Sequence, residues 1–183
     1  NPGLDEFLGR VLPPLRRLPV KVIVSFSGDS PEEVAAAAGR LAAEGVDGVE
    51  LNISCPNLKL RRVLVSEDPA LTREVVAAAR AACGRTPLIV KLSPNARDIA
   101  EIGRAAEEAG ADVLSLVNTV RALAVDHAGR RLVFGGLSGP AVKPIGLRAV
   151  CETYRRVGIP IVGMGGIASG KDALEYLMVG ATA

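Results

Sequence analysis

The sequence predicts an α/β fold in which a parallel sheet is covered by helices. Three observations carry that expectation. Short strands recur that are apolar on nearly every residue, each is followed by an amphipathic helix, and a glycine closes most of those helices before the next strand. About five such repeats are present, and Gly180-Ala181-Thr182-Ala183 reads as the start of a further strand. Eight repeats would close a barrel of about 250 residues. The expected architecture is therefore a single-domain (β/α)8 TIM barrel, incomplete at both ends in this chain. No G-x-G-x-x-G follows a strand, which disfavours a doubly wound dinucleotide-binding sheet.

Residues 4–18 read as an amphipathic opening helix broken at Pro13-Pro14, with a short tail. Residues 21–26 form the first strand. Ser30-Pro31-Glu32-Glu33 combines an N-cap serine, a proline at the first helical position and a glutamate placed for a capping box. The spacing then predicts a helix over 31–44, with Val34, Ala38 and Leu41 on one face and Gly45 as its stop. Strand 48–53 follows, then a helix from Asp68-Pro69 to about Ala82, ended by Gly84. Strand 87–92 leads to a helix over 97–109, with Ile99, Ile102 and Ala106 inward and Gly110 after it. Strand 112–118, a longer polar excursion containing His127, a helix over 146–157, strand 160–164 and a helix over 170–179 complete the chain.

Among 183 residues, 49% are apolar, the formal net charge is +2 and only 3% are aromatic. A basic face with aromatic stacking platforms is missing, so nucleic acid is not an expected partner. No apolar run reaches the roughly 20 residues of a membrane span and no signal segment opens the chain, so the expected location is cytoplasmic. Cys55, Cys83 and Cys151 are far apart and there is one histidine, which supports neither a disulfide framework nor a metal site.

Chemistry in a barrel of this kind sits at the C-terminal ends of the strands. Those ends carry Ser25, then Asn52 with Cys55 and Asn57, then Lys91, then Asn118 with Thr119, then Gly165-Gly166. Val49 to Asn57 is the most telling stretch, because an apolar strand ends abruptly in amides, a hydroxyl and a thiol on a proline-stiffened turn. Cys55 reads either as a small buried hydrophobe or as a base or nucleophile. The asparagines either satisfy loop backbone or bind a ligand. Lys91 has apolar strand neighbours, and an uncompensated ammonium there would be costly unless an anion or electron-rich ring met it. The Gly165-Gly166 pair exposes backbone N–H groups suited to a phosphate. Cys83 and Cys151 fall in or beside helices and read as packing residues, and His127 as solvated.

Taken together, Asn52-Ile53-Ser54-Cys55-Pro56-Asn57, Val90-Lys91-Leu92, Val117-Asn118-Thr119, Gly135-Gly136-Leu137-Ser138-Gly139-Pro140-Ala141 with Lys143-Pro144, and Gly163-Met164-Gly165-Gly166-Ile167 resemble the class 1 dihydroorotate dehydrogenases. The motifs come in that family's order and span nearly the whole chain. The resemblance implies a flavin-binding barrel that oxidises (S)-dihydroorotate to orotate in pyrimidine biosynthesis. It implies that Cys55 removes a proton from C5 of the substrate while hydride leaves C6 for FMN. Asn52 would contact both FMN and substrate, Asn57 would add a substrate contact, and Asn118 with Thr119 would hold the pyrimidine or its carboxylate. Lys91 would lie against the flavin ring. Val117 and Gly139 would approach FMN through backbone, and Gly165 with Gly166 would bind its phosphate.

By similarity the NAD-linked type is favoured over the fumarate-using one, which implies a homodimer served by an FAD and iron–sulfur electron-transfer subunit. Two departures stand out. Ser25 occupies the place of an asparagine near the flavin in many NAD-linked members, and the loop Leu58-Lys59-Leu60-Arg61-Arg62-Val63 stands where relatives carry glycines. Three other readings compete: an FMN barrel acting on another dihydropyrimidine, a lyase forming a Schiff base on Lys91, and a phosphate-binding scaffold in which Cys55 is inert.

Overall fold

The structure, a computed structural model, describes residues 3–54, 59–60 and 63–183. The chain opens with α1 (Leu4–Glu6), a wider π turn (Phe7–Val11) and α2 (Leu12–Leu15). The two prolines sit inside the last helical turn instead of ending it. Pro13 and Pro14 bring no N–H to the preceding turn, so its winding loosens and the Leu12 N–H reaches back to the Phe7 carbonyl.

Strand β1 (Ile23–Phe26) leads into α3 (Pro31–Ala43). The Ser30 side chain caps α3 by accepting from the Glu33 N–H, while the Glu33 carboxylate accepts from the Asp29 N–H, one residue before the expected capping-box partner. Strand β2 (Gly48–Asn52) follows, then a short antiparallel pair, β3 (Lys59–Leu60) with β4 (Val63–Leu64). Asp68 caps α4 (Pro69–Cys83) through the N–H groups of Ala70 and Leu71, and β5 (Leu88–Lys91) succeeds it. Helix α5 (Ile99–Glu108) starts two residues later than expected, because the Asp98 carboxylate takes the cap position and accepts from the Glu101 N–H.

After β6 (Val113–Leu116) the expected polar excursion is instead an antiparallel hairpin, β7 (Val120–Asp126) with β8 (Arg131–Leu137), paired over seven residues. Helix α6 (Lys143–Tyr154) begins three residues early, since Pro144 is tolerated in a first turn. Strand β9 (Ile161–Gly163) and α7 (Gly170–Met178) complete the chain, with Ser169 capping α7.

Five strands form one parallel sheet in the order β1-β2-β5-β6-β9, so each strand lies beside its predecessor in the βα series. That order matches an arc of a βα barrel rather than a doubly wound sheet. Beyond β9, the Thr182 N–H donates to the Ile161 carbonyl and the Gly163 N–H to the Ala183 carbonyl, both at 2.7 Å, so a further strand begins to pair. One face of the sheet packs on the helices: Val49, Leu51, Val90, Leu114 and Leu116 meet Val34, Leu41, Val75, Val76 and Val150, all fully buried. Each such side chain contributes about 1.5–3 kcal/mol on burial. Among the described residues no helix is long and apolar enough to cross a membrane.

Candidate functional site

Alternation along a strand sends the polar residues to the opposite face of the sheet. Register places Ser25 beside Glu50, Asn52 beside Lys91, and Lys91 beside Ser115, so side chains from four adjacent strands share one face of the sheet. Ser25 stands exposed at its edge.

Glu50 changes the account of Lys91. From the sequence alone the ammonium has no compensating charge within the chain, whereas the Glu50 carboxylate lies 3.7 Å from it. The other carboxylate oxygen of Glu50 accepts a 2.8 Å hydrogen bond from the Ser115 hydroxyl. Counter-charge is thus built into the next strand, but at 3.7 Å the Lys91 N–H groups are beyond hydrogen-bond reach of it. The signal for Glu50 was a lone carboxylate two residues before Asn52 in an otherwise apolar strand, hence on the same face.

Asn52 joins this surface to a cavity of about 500 Å³ lined by Ser54, Ser93, Asn95, Asn118, Thr119 and Phe134 among others. Its carbonyl oxygen accepts from the Ser54 N–H at 3.2 Å and from the Asn118 amide at 3.3 Å, and the Ser54 hydroxyl completes the cluster. The Asn118 oxygen accepts from the Thr119 N–H at 2.8 Å. Asn118 therefore fixes the orientation of Asn52 through its oxygen, and these bonds do not engage the Asn52 NH2 group. Asn95, which the sequence reading passed over, ties the loop after β5 to the hairpin: its oxygen accepts from the Arg121 N–H and its amide donates to the Thr119 carbonyl. The hairpin brings Phe134 to the cavity rim.

The backbone positions also come together. A Cβ on Gly166 would lie 2.8 Å from both the Gly139 carbonyl and the Lys143 nitrogen, and one on Gly165 would lie 3.6 Å from the Val117 side chain. Gly139, Gly165 and Gly166 have φ of 85°, 109° and 73°, a region that side chains rarely adopt. The Gly165 and Gly166 N–H groups donate to nothing among the described residues. The Val117 N–H donates to the Met164 carbonyl at 3.1 Å, which ties β6 to the turn after β9. Buried Tyr176 braces this turn from behind, its hydroxyl near the carbonyls of Met164 and Gly165. Lys143 does not point a free ammonium at the turn: it pairs with Asp172 at 2.5 Å and Glu175 at 2.8 Å, clamping α6 to α7.

Cys55 and Asn57, with Arg61 and Arg62 of the following loop, lie outside the described residues. Cys83 is buried, and burial pushes its thiol above the ordinary range, as befits a packing residue. His127 is exposed at the hairpin tip.

A family model described as dihydroorotate dehydrogenase matches residues 1–183. The chain is 47% identical over 188 residues to "Dihydroorotate dehydrogenase B (NAD(+)), catalytic subunit" of Desulforudis audaxviator, covering 100% of this chain and 61% of that protein. It is 48% identical over 188 residues to the protein of the same name in Trichlorobacter lovleyi, covering 100% and 62%. The chain thus spans 61–62% of the length of these relatives. Among solved structures, a deoxyribose phosphate aldolase from Aeropyrum pernix has a TM-score of 0.60 at 21% identity, covering 92% of this chain and 64% of that one. FabK from Thermotoga maritima scores 0.59 at 18% identity, covering 99% and 46%. At these identities the likeness shows the α/β fold alone.

Proposed function

Since this chain belongs to the dihydroorotate dehydrogenase family, we propose that it is the FMN-binding catalytic domain of an enzyme that oxidises (S)-dihydroorotate to orotate. The observation that carries this reading is the placement of Asn52. Its oriented amide stands between the sheet surface bearing Lys91 and the amide-lined cavity, where one side chain can meet both a cofactor and a substrate.

The donor set fits the cofactor. A flavin ring presents carbonyls and ring nitrogens as acceptors, and the open side offers the Lys91 ammonium, the Asn52 NH2 group and, at the edge, the Ser25 hydroxyl. A phosphate needs N–H donors without partners, which Gly165 and Gly166 offer beside Gly139 and Val117. When bound, FMN would supply the acceptor for a hydride. The chain's own part is to hold the substrate ring through Asn52, Asn57, Asn118 and Thr119, and to remove a proton through Cys55. A free thiol ionises near 8.5, so only modest tuning makes it a base at neutral pH. Convergent amides suit a substrate that is itself a ring of amide donors and acceptors, because a poorer match leaves buried polar groups unpaired.

The relatives are named as the catalytic subunit of an NAD(+)-type enzyme, which supports a partner subunit that carries electrons onward, by similarity through FAD and an iron–sulfur centre. The same reading makes the chain part of a cytoplasmic homodimer.

The test is the visible spectrum of the protein, expressed with its natural flanking sequence, before and after anaerobic addition of dihydroorotate. Flavin absorbance that bleaches on addition supports the assignment. A yellow protein that does not bleach moves the substrate to another dihydropyrimidine. A colourless protein overturns the flavin reading, and trapping of a carbonyl compound on Lys91 by borohydride would then support a Schiff-base lyase.

A further inference from the structure

We propose that Glu50 is a positioning residue that sets the redox potential of the bound cofactor by holding a negative charge behind Lys91. The inference rests on the flavin reading of the site. Its basis is the geometry of three side chains on adjacent strands. Ser115 donates to one oxygen of the Glu50 carboxylate at 2.8 Å, and that bond turns the other oxygen toward the Lys91 ammonium, 3.7 Å away. The Glu50 side chain is 12% exposed and that of Lys91 21%.

A pair built for stability would close to contact and share hydrogen bonds, since a largely buried ion pair gains little otherwise. This one does neither. The carboxylate is anchored elsewhere, so the ammonium keeps its N–H groups for the open side while its field there is partly cancelled. In so enclosed a setting charges a few ångströms apart interact strongly, and a bound ring that gains electrons responds to the sum of the two. Lys91 raises the potential of that ring and Glu50 holds it down.

Glu50→Gln keeps the shape and the acceptor for Ser115 while removing the charge. In the full-length flavoprotein the ratio of the dissociation constants of oxidised and reduced FMN is expected to rise about tenfold, an upward shift of about 30 mV in the two-electron midpoint potential. Glu50→Asp, which retains the charge, is expected to stay nearer the parent value. A yellow Glu50→Gln protein with an unchanged ratio overturns this proposal alone, whereas a colourless parent protein overturns the flavin reading and this proposal with it. If Glu50→Gln does not retain flavin, Ser115→Ala decides: it keeps both charges and releases the carboxylate from its anchor. An altered ratio then supports the proposal and an unaltered one overturns it.

Discussion

The Tyr176 hydroxyl lies 2.8 Å from the Gly165 carbonyl oxygen and 3.1 Å from that of Met164, with the whole residue only 2% exposed. Burial raises the phenol above its ordinary range, so it stays a donor at any working pH. A helix residue thereby holds the backbone turn of Gly165 and Gly166. Tyr176→Phe is expected to lower stability by about 1 kcal/mol, the usual size for one such bond, or about 2–4 °C in a chain of this length. It is also expected to weaken FMN retention several-fold, measured by fluorescence titration of the apoprotein. Unchanged retention would mean that the turn does not depend on its brace.

Gly146 lies where α6 crosses Tyr176, and a Cβ there would collide with the phenol oxygen. Alanine favours a helix over glycine by about 1 kcal/mol, yet here overpacking, at about 1–3 kcal/mol, opposes it. Gly146→Ala is therefore expected to destabilise in urea unfolding. A stabilised variant would show that α6 can shift away.

Cys55→Ser is expected to leave flavin bound and to slow its reduction by dihydroorotate by about 10²–10⁴-fold, the usual contribution of a general base. Stopped-flow bleaching of the flavin reads this directly. An unchanged rate would remove Cys55 from the proton transfer.

The clamp between α6 and α7 titrates in acid. Lys143 holds the Asp172 carboxyl well below the usual carboxylate range, with help from the Ser169 hydroxyl and the Ala168 N–H. A carboxyl depressed in the folded state contributes stability above its unfolded value near 4 and loses it as pH falls below that. Lys143→Met removes the main cause. Thermal midpoints between pH 5 and 2.5 are expected to fall less steeply in the variant than in the parent, and parallel curves would refute the linkage.

Much of the βα order can be read from local chemistry. Ser30, Asp68 and Ser169 each announce a helix by capping its first turn, and Val34, Ala38 and Leu41 announce the face it buries. Two features resist such reading. The β7–β8 hairpin leaves Leu123, Val125, Leu132 and Phe134 exposed, and the glycines of β8 interrupt any alternation, so nothing in its pattern marks an inward face. Glu50 gains its meaning only across strands: Ser115 lies 65 residues away in sequence. Asn52, Lys91 and Asn118 could be picked out as strand-end residues, but the hydrogen bond by which Asn118 orients Asn52 is tertiary.

The serial order of the five strands also governs how the chain assembles and comes apart. Each strand pairs with the one a single helical crossover earlier, so no pairing in the main sheet has to wait for distant ends of the chain to meet. Contacts of that range favour growth unit by unit, in the manner of stacked repeats. Amide exchange should then be slow in β5, which is paired on both sides, with β2 and with β6. The ends of β2 and β5 that bear Asn52 and Lys91 are paired to each other, so the two side chains keep their spacing or lose it together.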